Sequence, residues 1–353
     1  KYLFKISQEI QNNSSKSLEL YPYAQITRNK IPDDIQNFYI SHEGFIGVFN
    51  DELKEDDYDD VEDNKIVREA NEGWLGITDK YWMAVIVPEK GKNFKSTFQY
   101  KDTFKANYII NDPIKINTSS KGSSNFRLFV AAKEVNTIDT YAESQNINKL
   151  DLVIDWGWFY FFTKPLFFVI DYLFKFSGNF GIAIVLITLA IRALFFPLAN
   201  FSFRSMAKMK AVTPEMTRLK ELHKDDKVKL QQEMMALYRK EKINPAAGCL
   251  PVLIQIPFFF AIYKMLFISL EMRHQPFFGW IQDLSAADPT SIFNLFGLIP
   301  WSPPSFMIIG IWPILMGASM WVQQKLNPAP TDPIQAKIFA FFPLFLTIIL
   351  ASF

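Results

Sequence analysis

Residues 181–201 (GIAIVLITLAIRALFFPLANF) constrain this chain more than any other stretch. They are almost wholly apolar over about twenty residues, the length a helix needs to cross the roughly 30 Å hydrocarbon core of a bilayer. Arg192 lies near the middle, and the stretch holds no carboxylate to pair with it. A charge at that depth costs at least about 2.5–3.5 kcal/mol. The sequence therefore predicts that Arg192 faces a polar surface inside a membrane.

The surroundings of Arg192 favour an interior polar site. Thr188 lies four residues earlier, so both side chains project from the same helical face. The alternative is a helix in a shifted register whose arginine reaches the membrane interface. Apolar runs on both sides place Arg192 far from either end of the span, and this favours the interior site.

Residues 1–134 have a different character and predict a soluble domain. Short runs in which apolar and polar residues alternate are separated by turns. Residues 74–78 and 81–87, for example, flank a turn at Asp79 and Lys80. This spacing is typical of an antiparallel β-sandwich. The acidic run 51–63 does not have EF-hand spacing, so a solvated loop is favoured over a calcium site. Residues 135–155 predict a linker with a short helix.

Composition excludes several classes of function. The 37 Lys and Arg balance 36 Asp and Glu, so net charge does not indicate a nucleic-acid partner. Cys249 is the single cysteine, which rules out an intrachain disulfide. His42 is the one histidine in the first domain, and no nucleophile, base or metal cluster is visible. We therefore expect no enzyme activity, no metal and no cofactor.

Residues 156–176 are apolar but are predicted to lie along a membrane surface. Pro165 interrupts them, and Lys164, Asp171 and Lys175 are spaced so that they share one helical face. A polar stripe on an otherwise aromatic helix is typical of an interfacial helix. The chain then turns into the first predicted span, residues 180–201.

Residues 202–245 predict a charged helical hairpin, with 11 Lys and Arg against 6 Asp and Glu between residues 202 and 244. Apolar side chains recur at helical intervals in both arms and predict thin seams. Two interpretations remain open: a solvated connector, or a flexible surface that binds other apolar segments. The methionines of these seams are Met206, Met209, Met216 and Met234.

The remaining chain predicts three further spans and fixes the topology. Gln255 is a polar residue in the first half of the second span, and Lys264, near its far end, is expected to reach the interface. Residues 202–249, which include the basic hairpin, are expected in the cytoplasm, and residues 1–155 are expected in the periplasm. Arg192 and Gln255 then lie in the inner half of the bilayer and line one cavity. The segments are a span at 250–270, a periplasmic loop at 271–304, and spans at 305–325 and 338–353.

Several motifs are specific. They include DWGWFYFFTKPLF, TLAIRALFFPL, SMAKMKAVTPEM, QQEMMALYRKEKINPAAGCLPVLIQIPFFFAIYKML and FFGWIQDLSAADP. From about Asp155 to the end, the chain resembles the YidC/Oxa/Alb family of membrane protein insertases. Residues 1–150, with LYPYAQITR, GFIGVF and GWLGITDKYWMAVIVP, resemble the later part of the periplasmic β-domain of Gram-negative members. The family architecture adds an N-terminal span, a final span and a basic tail, which this sequence lacks.

The resemblance implies a helical insertase core with a hydrophilic groove that opens to the cytoplasm and to lipid. Arg192 matches the groove arginine of the family, and Thr188 and Gln255 match polar groove positions. The hairpin matches the part associated with substrate capture. The implied partners are nascent membrane proteins, the Sec translocon, the lipid bilayer and, through the missing tail, the ribosome, with no direct binding of nucleic acid.

The leading hypothesis is therefore a multi-pass inner membrane insertase and chaperone. A transporter or channel with Arg192 in an anion site is the alternative, but the sequence shows none of the internal repeats that many transporters have. A periplasmic enzyme is disfavoured because no catalytic cluster is visible.

Overall fold

A computed structural model describes residues 2–32, 35, 41–224, 226–244, 247, 250–286, 290–299, 301, 304, 309–326 and 333–351. Residues 305–308 of the third predicted span, the predicted loop residues 327–332, the last two residues of the fourth span and Cys249 lie outside this range. The chain forms two compact units. One comprises Lys1–Pro165 with Ala261–Glu271, and the other comprises Leu166–Phe260 with Met272–Phe353.

Among its described residues, the first unit has twelve β-strands in three sheets. A six-stranded sheet has the order β1-β12-β8-β7-β4-β5, a four-stranded sheet has the order β3-β10-β9-β6, and β2 pairs with β11. Neighbouring strands are antiparallel throughout. The strands are β1 Leu3–Gln11, β2 Leu18–Leu20, β3 Tyr23–Arg28, β4 Gly44–Phe49, β5 Glu52–Asp56, β6 Ile66–Ala70, β7 Gly73–Thr78, β8 Trp82–Val87, β9 Phe94–Lys101, β10 Thr103–Ile110, β11 Ile114–Ile116 and β12 Lys121–Ala132.

The two larger sheets share one aromatic core. Phe45 of β4 lies 5.0 Å from Phe98 of β9, measured between ring centroids, and Phe49 and Phe94 pack beside them. Facing sheets with an interdigitated apolar core define a β-sandwich. The predicted sandwich is confirmed, and so is the hairpin of β7 and β8, in which Thr78 pairs with Met83.

The outer face of the six-stranded sheet is also covered. Trp74 is fully buried, and its Nε1 donates to the carbonyl oxygen of Asn148 at 3.1 Å. The covering segment consists of helix α2 (Val135–Ser144) and a short 3₁₀ helix (Leu150–Val153), which bury Ile138 and Leu150. The helix predicted in the linker is therefore present, and it closes the second face of the sheet.

The acidic run 51–63 is a strand and a helix, not the solvated loop that we expected. Its first part forms β5, and its second part forms helix α1 (Tyr58–Asp63). Tyr58 and Val61, three residues apart, bury one face of this short helix. Asp57 and Asp60 form a capping box at its start. The carboxylates thus lie on a strand and a helix.

The second unit is helical. Within the described residues, no single helix is long and apolar enough to cross a bilayer. The helices Phe180–Leu194 and Phe196–Leu222, bent by 58° at their junction, meet that requirement together. The helices are α3 Tyr160–Ser177, α4 Phe180–Leu194, α5 Phe196–Leu222, α6 Lys227–Lys240, α7 Leu250–Ile268, α8 Ile311–Leu326 and α9 Pro333–Ala351.

The predicted span of residues 180–201 consists of two helices. Helix α4 ends at Leu194, and α5 begins at Phe196 and runs on through the first arm of the predicted hairpin. Pro197 lies in the first turn of α5, where its missing N–H disturbs no helical hydrogen bond. Inside a continuous helix, Pro197 would remove one backbone hydrogen bond and clash with the preceding turn. The bend therefore falls at this point.

Candidate functional site

Arg192 lies on the open side of α4. The helix buries Ala183 and Ile187, and at 100° per residue Arg192 is about 180° from Ala183. Its side chain is exposed, and no described residue forms an ion pair or hydrogen bond with it. Thr188 is also exposed on this helix, and its Oγ1 donates to the carbonyl oxygen of Ile184 at 2.7 Å. Arg192 is thus an unpaired cation on an apolar helix.

Gln255 is brought near Arg192 by an aromatic contact between neighbouring helices. Phe195 and Phe258 meet edge to face, with ring centroids 5.0 Å apart. Arg192 and Gln255 each lie three residues before one of these rings, which is about 4.5 Å of helical rise and about 60° of rotation. Their separation along the helix axes is therefore at most about 9 Å. The two predicted groove residues therefore flank the contact between Phe195 and Phe258.

The hairpin methionines are mostly used within the hairpin. Met216 is only 1 % exposed, and the hydroxyl of Tyr238 on α6 lies 3.9 Å from its Sδ. Met206, Met209 and Met234 are half-buried. Met216 therefore holds α5 against α6 in this conformation and leaves no surface for another segment.

The two most exposed large apolar side chains of the hairpin lie at its tip. Leu222 and Val228 are each 68 % exposed and flank the turn that begins at His223. Asp226 caps α6 by accepting a hydrogen bond from the backbone N–H of Lys229 at 2.9 Å. The sequence pattern suggested the methionine seams as the surface that binds other apolar segments, whereas the exposed side chains favour the tip.

A carboxylate cluster in the first unit was missed from the sequence. Asp155 Oδ2 accepts from Lys264 Nζ at 2.7 Å and from the backbone N–H of His42 at 2.8 Å. Its Oδ1 accepts from the backbone N–H of Gly157 at 3.0 Å, and Gly157 has a positive φ of 72°. Lys264 therefore makes a half-buried ion pair, whereas we had expected it to reach the membrane interface. No sequence pattern links two residues 109 positions apart.

Two more contacts join the end of α7 to the first unit. Glu271 Oε1 accepts from the backbone N–H of Val135, the first residue of α2, at 2.9 Å. Lys80 Nζ lies 3.8 Å from the centroid of the Phe267 ring, close enough for a cation–π interaction. Together with Asp155, these residues fix residues 261–271 within this unit.

Lys133 is a fully buried cation beside this cluster. Burial lowers its pKa to about 8, and the surrounding carboxylates of Asp155, Glu43, Asp79 and Glu55 oppose that shift. Burial raises the pKa of Glu55 in turn. Both shifts arise because the charged form of each group loses water on folding.

The polar stripe predicted on residues 156–176 is present but does not act as one surface. Lys164 Nζ bridges Asp139 Oδ1 at 3.0 Å and Asp151 Oδ2 at 2.8 Å in the first unit. Lys175 pairs with Asp171 one helical turn away, at 2.6 Å. The helix also begins at Tyr160, four residues later than predicted, because Gly157 makes a left-handed turn before it.

The β-sandwich offers one concavity of about 360 Å³ but no reactive group. Its lining includes Trp74, Arg127 and Asn148. Arg127 donates to the carbonyl oxygen of Gln145 at 2.7 Å, so its guanidinium holds the linker in place. Within the described part of the chain, no group of three His, Cys, Asp or Glu side chains could hold a metal ion.

Comparison with known families supports the membrane interpretation. The family model described as 60Kd inner membrane protein matches residues 172–353, more than half of the chain. The chain belongs to the 60Kd inner membrane protein family. The model of the YidC periplasmic domain matches residues 1–169. This chain is therefore part of an inner membrane protein with a periplasmic domain.

Several curated members of the 60Kd inner membrane protein family are similar along the whole chain. The membrane protein insertase YidC of Pelagibacter ubique (strain HTCC1062) is 61 % identical over 352 residues, which is 100 % of this chain and 63 % of that protein. The same-named proteins of Brucella melitensis biotype 1 and Methylorubrum extorquens (strain PA1) are 49 % and 50 % identical over 100 % of this chain, and it covers 59 % and 60 % of them. The chain thus spans less than two thirds of these relatives.

A crystal structure described as an active YidC insertase with the first transmembrane domain resolved is also similar. It is 18 % identical, with a TM-score of 0.42, over 88 % of this chain and 81 % of that chain. At that score the likeness carries no argument.

Proposed function

We propose that the protein inserts newly made membrane proteins into the inner membrane and assists their folding, alone or beside the Sec translocon. The observation that carries the proposal is Arg192, an exposed cation on an apolar helix, with Thr188 on the same helix and Gln255 on a neighbouring one. The names of the relatives support the same function. The proposed partners are nascent membrane proteins, the Sec translocon and the lipid bilayer, with the ribosome bound through a part of the protein outside this chain.

The physical logic follows from the bilayer. Each charged or unsatisfied polar group of a translocated tail costs several kcal/mol in hydrocarbon. A polar groove that reaches the middle of the membrane shortens the apolar path, and Arg192 attracts acidic side chains into it. The apolar segment of the substrate then leaves along exposed side chains such as Leu253 and Phe259 of α7. No covalent step is needed, so we propose no catalytic residue.

The proposed spans are α4 with the start of α5, α7, α8 and α9. Their exposed apolar side chains support this, because a surface of this size is unusual in a soluble protein. On α9 the exposed set is Ile338, Phe339, Phe341, Phe342, Leu344, Phe345, Ile348 and Ile349. The basic charge of the hairpin supports a cytoplasmic position for α6 and for the part of α5 that follows the span.

Helix α3 is proposed to lie along the periplasmic membrane surface. Single cysteines placed along α3 are expected to react with a membrane-impermeant maleimide added from the periplasm, at both Lys164 and Lys175. The reason is that both ends of a helix lying in the interface are on the same side of the bilayer. Labelling from opposite sides at these two positions would show a span instead and overturn the topology.

The tip of the hairpin is proposed to contact substrates before insertion. A photo-crosslinker at Leu222 or Val228 is expected to capture nascent chains, because both side chains are exposed and apolar. A crosslinker at the buried Met216 is the matched control and should capture none. Crosslinks that appear near Arg192 but never at the tip would leave the hairpin as a connector.

A liposome experiment tests the function against the alternative of a transporter. The full-length protein is reconstituted, and two quantities are measured on the same vesicles: insertion of a small one-span protein, and flux of chloride. We expect insertion without flux, because the groove is proposed to open to one side only. Flux at a rate above that of empty vesicles, without insertion, would favour the transporter.

A further inference from the structure

Residues 290–299, 301, 304, 309 and 310, which we call the excursion, are mostly apolar and precede α8. Its two ends meet: the backbone N–H of Ile292 donates to the carbonyl oxygen of Ile309 at 3.4 Å, and that of Ile311 donates to Thr290 Oγ1 at 3.3 Å. A 3₁₀ helix, Ile292–Gly297, begins the excursion and is capped by Ser291. These hydrogen bonds join the start of the excursion to the start of α8.

The described part of this excursion carries large apolar side chains that no other part of the unit covers. Leu298 is 83 % exposed, the highest value among them, and Leu295 has a positive φ of 50° that turns the chain at this point. An exposed cluster of this kind marks an interaction surface. Its members are Ile292, Phe293, Leu295, Leu298, Ile299 and Trp301.

The absence of charged residues, and the direct continuation of this surface into α8, favour lipid as its ligand. No Asp, Glu, Lys or Arg occurs between Asp288 and Lys325, so the excursion and most of α8 form one uncharged stretch. An interface with a protein partner usually has a polar, solvent-accessible rim, whereas the exposed large side chains of this surface are all apolar. Trp301 adds an aromatic ring with an N–H donor, the side chain that is enriched where hydrocarbon meets water.

We propose that residues 291–299 and Trp301 lie in the lipid interface on the same side as the start of α8, where they anchor the loop between α7 and α8. Residues 271–304 had been predicted as a periplasmic loop, and this part of them is assigned to the membrane surface. The inference rests on the proposed topology, in which α8 spans the membrane, but not on the insertion activity. Its ligand is the acyl-chain region of the bilayer surface.

The test uses the full-length protein in liposomes. Cys249 is replaced by serine, and an environment-sensitive dye is attached at Leu298→Cys. We expect a blue-shifted emission that lipids with brominated acyl chains quench and aqueous iodide does not. Val130→Cys is the control, since Val130 is 41 % exposed on the β-sandwich and should show the reverse pattern.

Two results would overturn the proposal. Iodide quenching at position 298 as strong as at position 130 would place the loop in water. Protection from both quenchers, with crosslinks to another protein, would show a protein partner in place of lipid. Arg192→Ala is expected to leave the quenching unchanged, so a failure of the insertion hypothesis is distinguishable from a failure of this one.

Discussion

Replacing Arg192 with glutamate is expected to impair insertion strongly, and most of all for substrates whose translocated tail carries Asp or Glu. A carboxylate in the groove repels such a tail, and in a low dielectric this repulsion is much larger than in water. Arg192→Ala is expected to impair the same substrates less, because it removes the attraction without adding repulsion. Neutral tails should be affected least by either change.

Arg192→Lys is the variant that separates charge from geometry. The guanidinium is a planar fork and the ammonium is a point charge, so a site that needs two parallel hydrogen bonds distinguishes them. Arg192 has no partner among the described residues, which favours a diffuse attraction. We therefore expect Arg192→Lys to retain most activity.

The measurement for the Arg192 series is insertion of matched substrates, with and without tail carboxylates, in cells that hold each variant at equal abundance. If Arg192→Lys fails as badly as Arg192→Glu, the attraction model is wrong and a specific hydrogen-bonded geometry must replace it. If Arg192→Ala affects both classes of substrate equally, the residue serves to hydrate the groove.

Removing the Asp155 carboxylate is expected to destabilise the first unit by about 3–5 kcal/mol, the usual cost of leaving a buried charge unpaired. Asp155→Ala leaves the Lys264 ammonium and the backbone N–H groups of His42 and Gly157 without their acceptor. The side chains of Asp155 and Lys264 are only 18 % and 14 % exposed, so water compensates little.

Urea unfolding of the full-length protein, followed by proteolysis of the β-sandwich, measures the loss at Asp155. Asp112→Ala is the control, because Asp112 is exposed and bonds to no described side chain. Lys264→Met in the Asp155→Ala background is expected to recover part of the stability, since the ammonium that lost its carboxylate is removed as well. A loss for Asp155→Ala no larger than that for Asp112→Ala would contradict the role given to this cluster.

The sandwich was predictable because short strands recur between turns, and some of them, such as β3 and β6, alternate in burial. Strand β4 escaped prediction for the opposite reason: all six residues of Gly44–Phe49 are buried, so no alternation exists. Residues 18–28 form two strands, β2 and β3, in different sheets. Pro22 separates them, since proline lacks the N–H that a continuous ladder requires.

The candidate site was only partly predictable. Arg192 stood out because a charge in an apolar run is costly wherever the chain folds. The roles of Met216 and Lys264 were not visible, because each depends on a partner distant in sequence: Tyr238 for the first and Asp155 for the second. A helical seam shows that a face is apolar, but not which surface covers it.

The most direct test of the proposed function is depletion of the full-length protein in living cells. Insertion of newly made proteins with one or two spans and short translocated tails is followed by protease protection. We predict that insertion of these proteins stalls on depletion and resumes when the wild-type protein or Arg192→Lys is restored, but not with Arg192→Glu. Insertion that continues at an unchanged rate in depleted cells would contradict the function proposed for this chain.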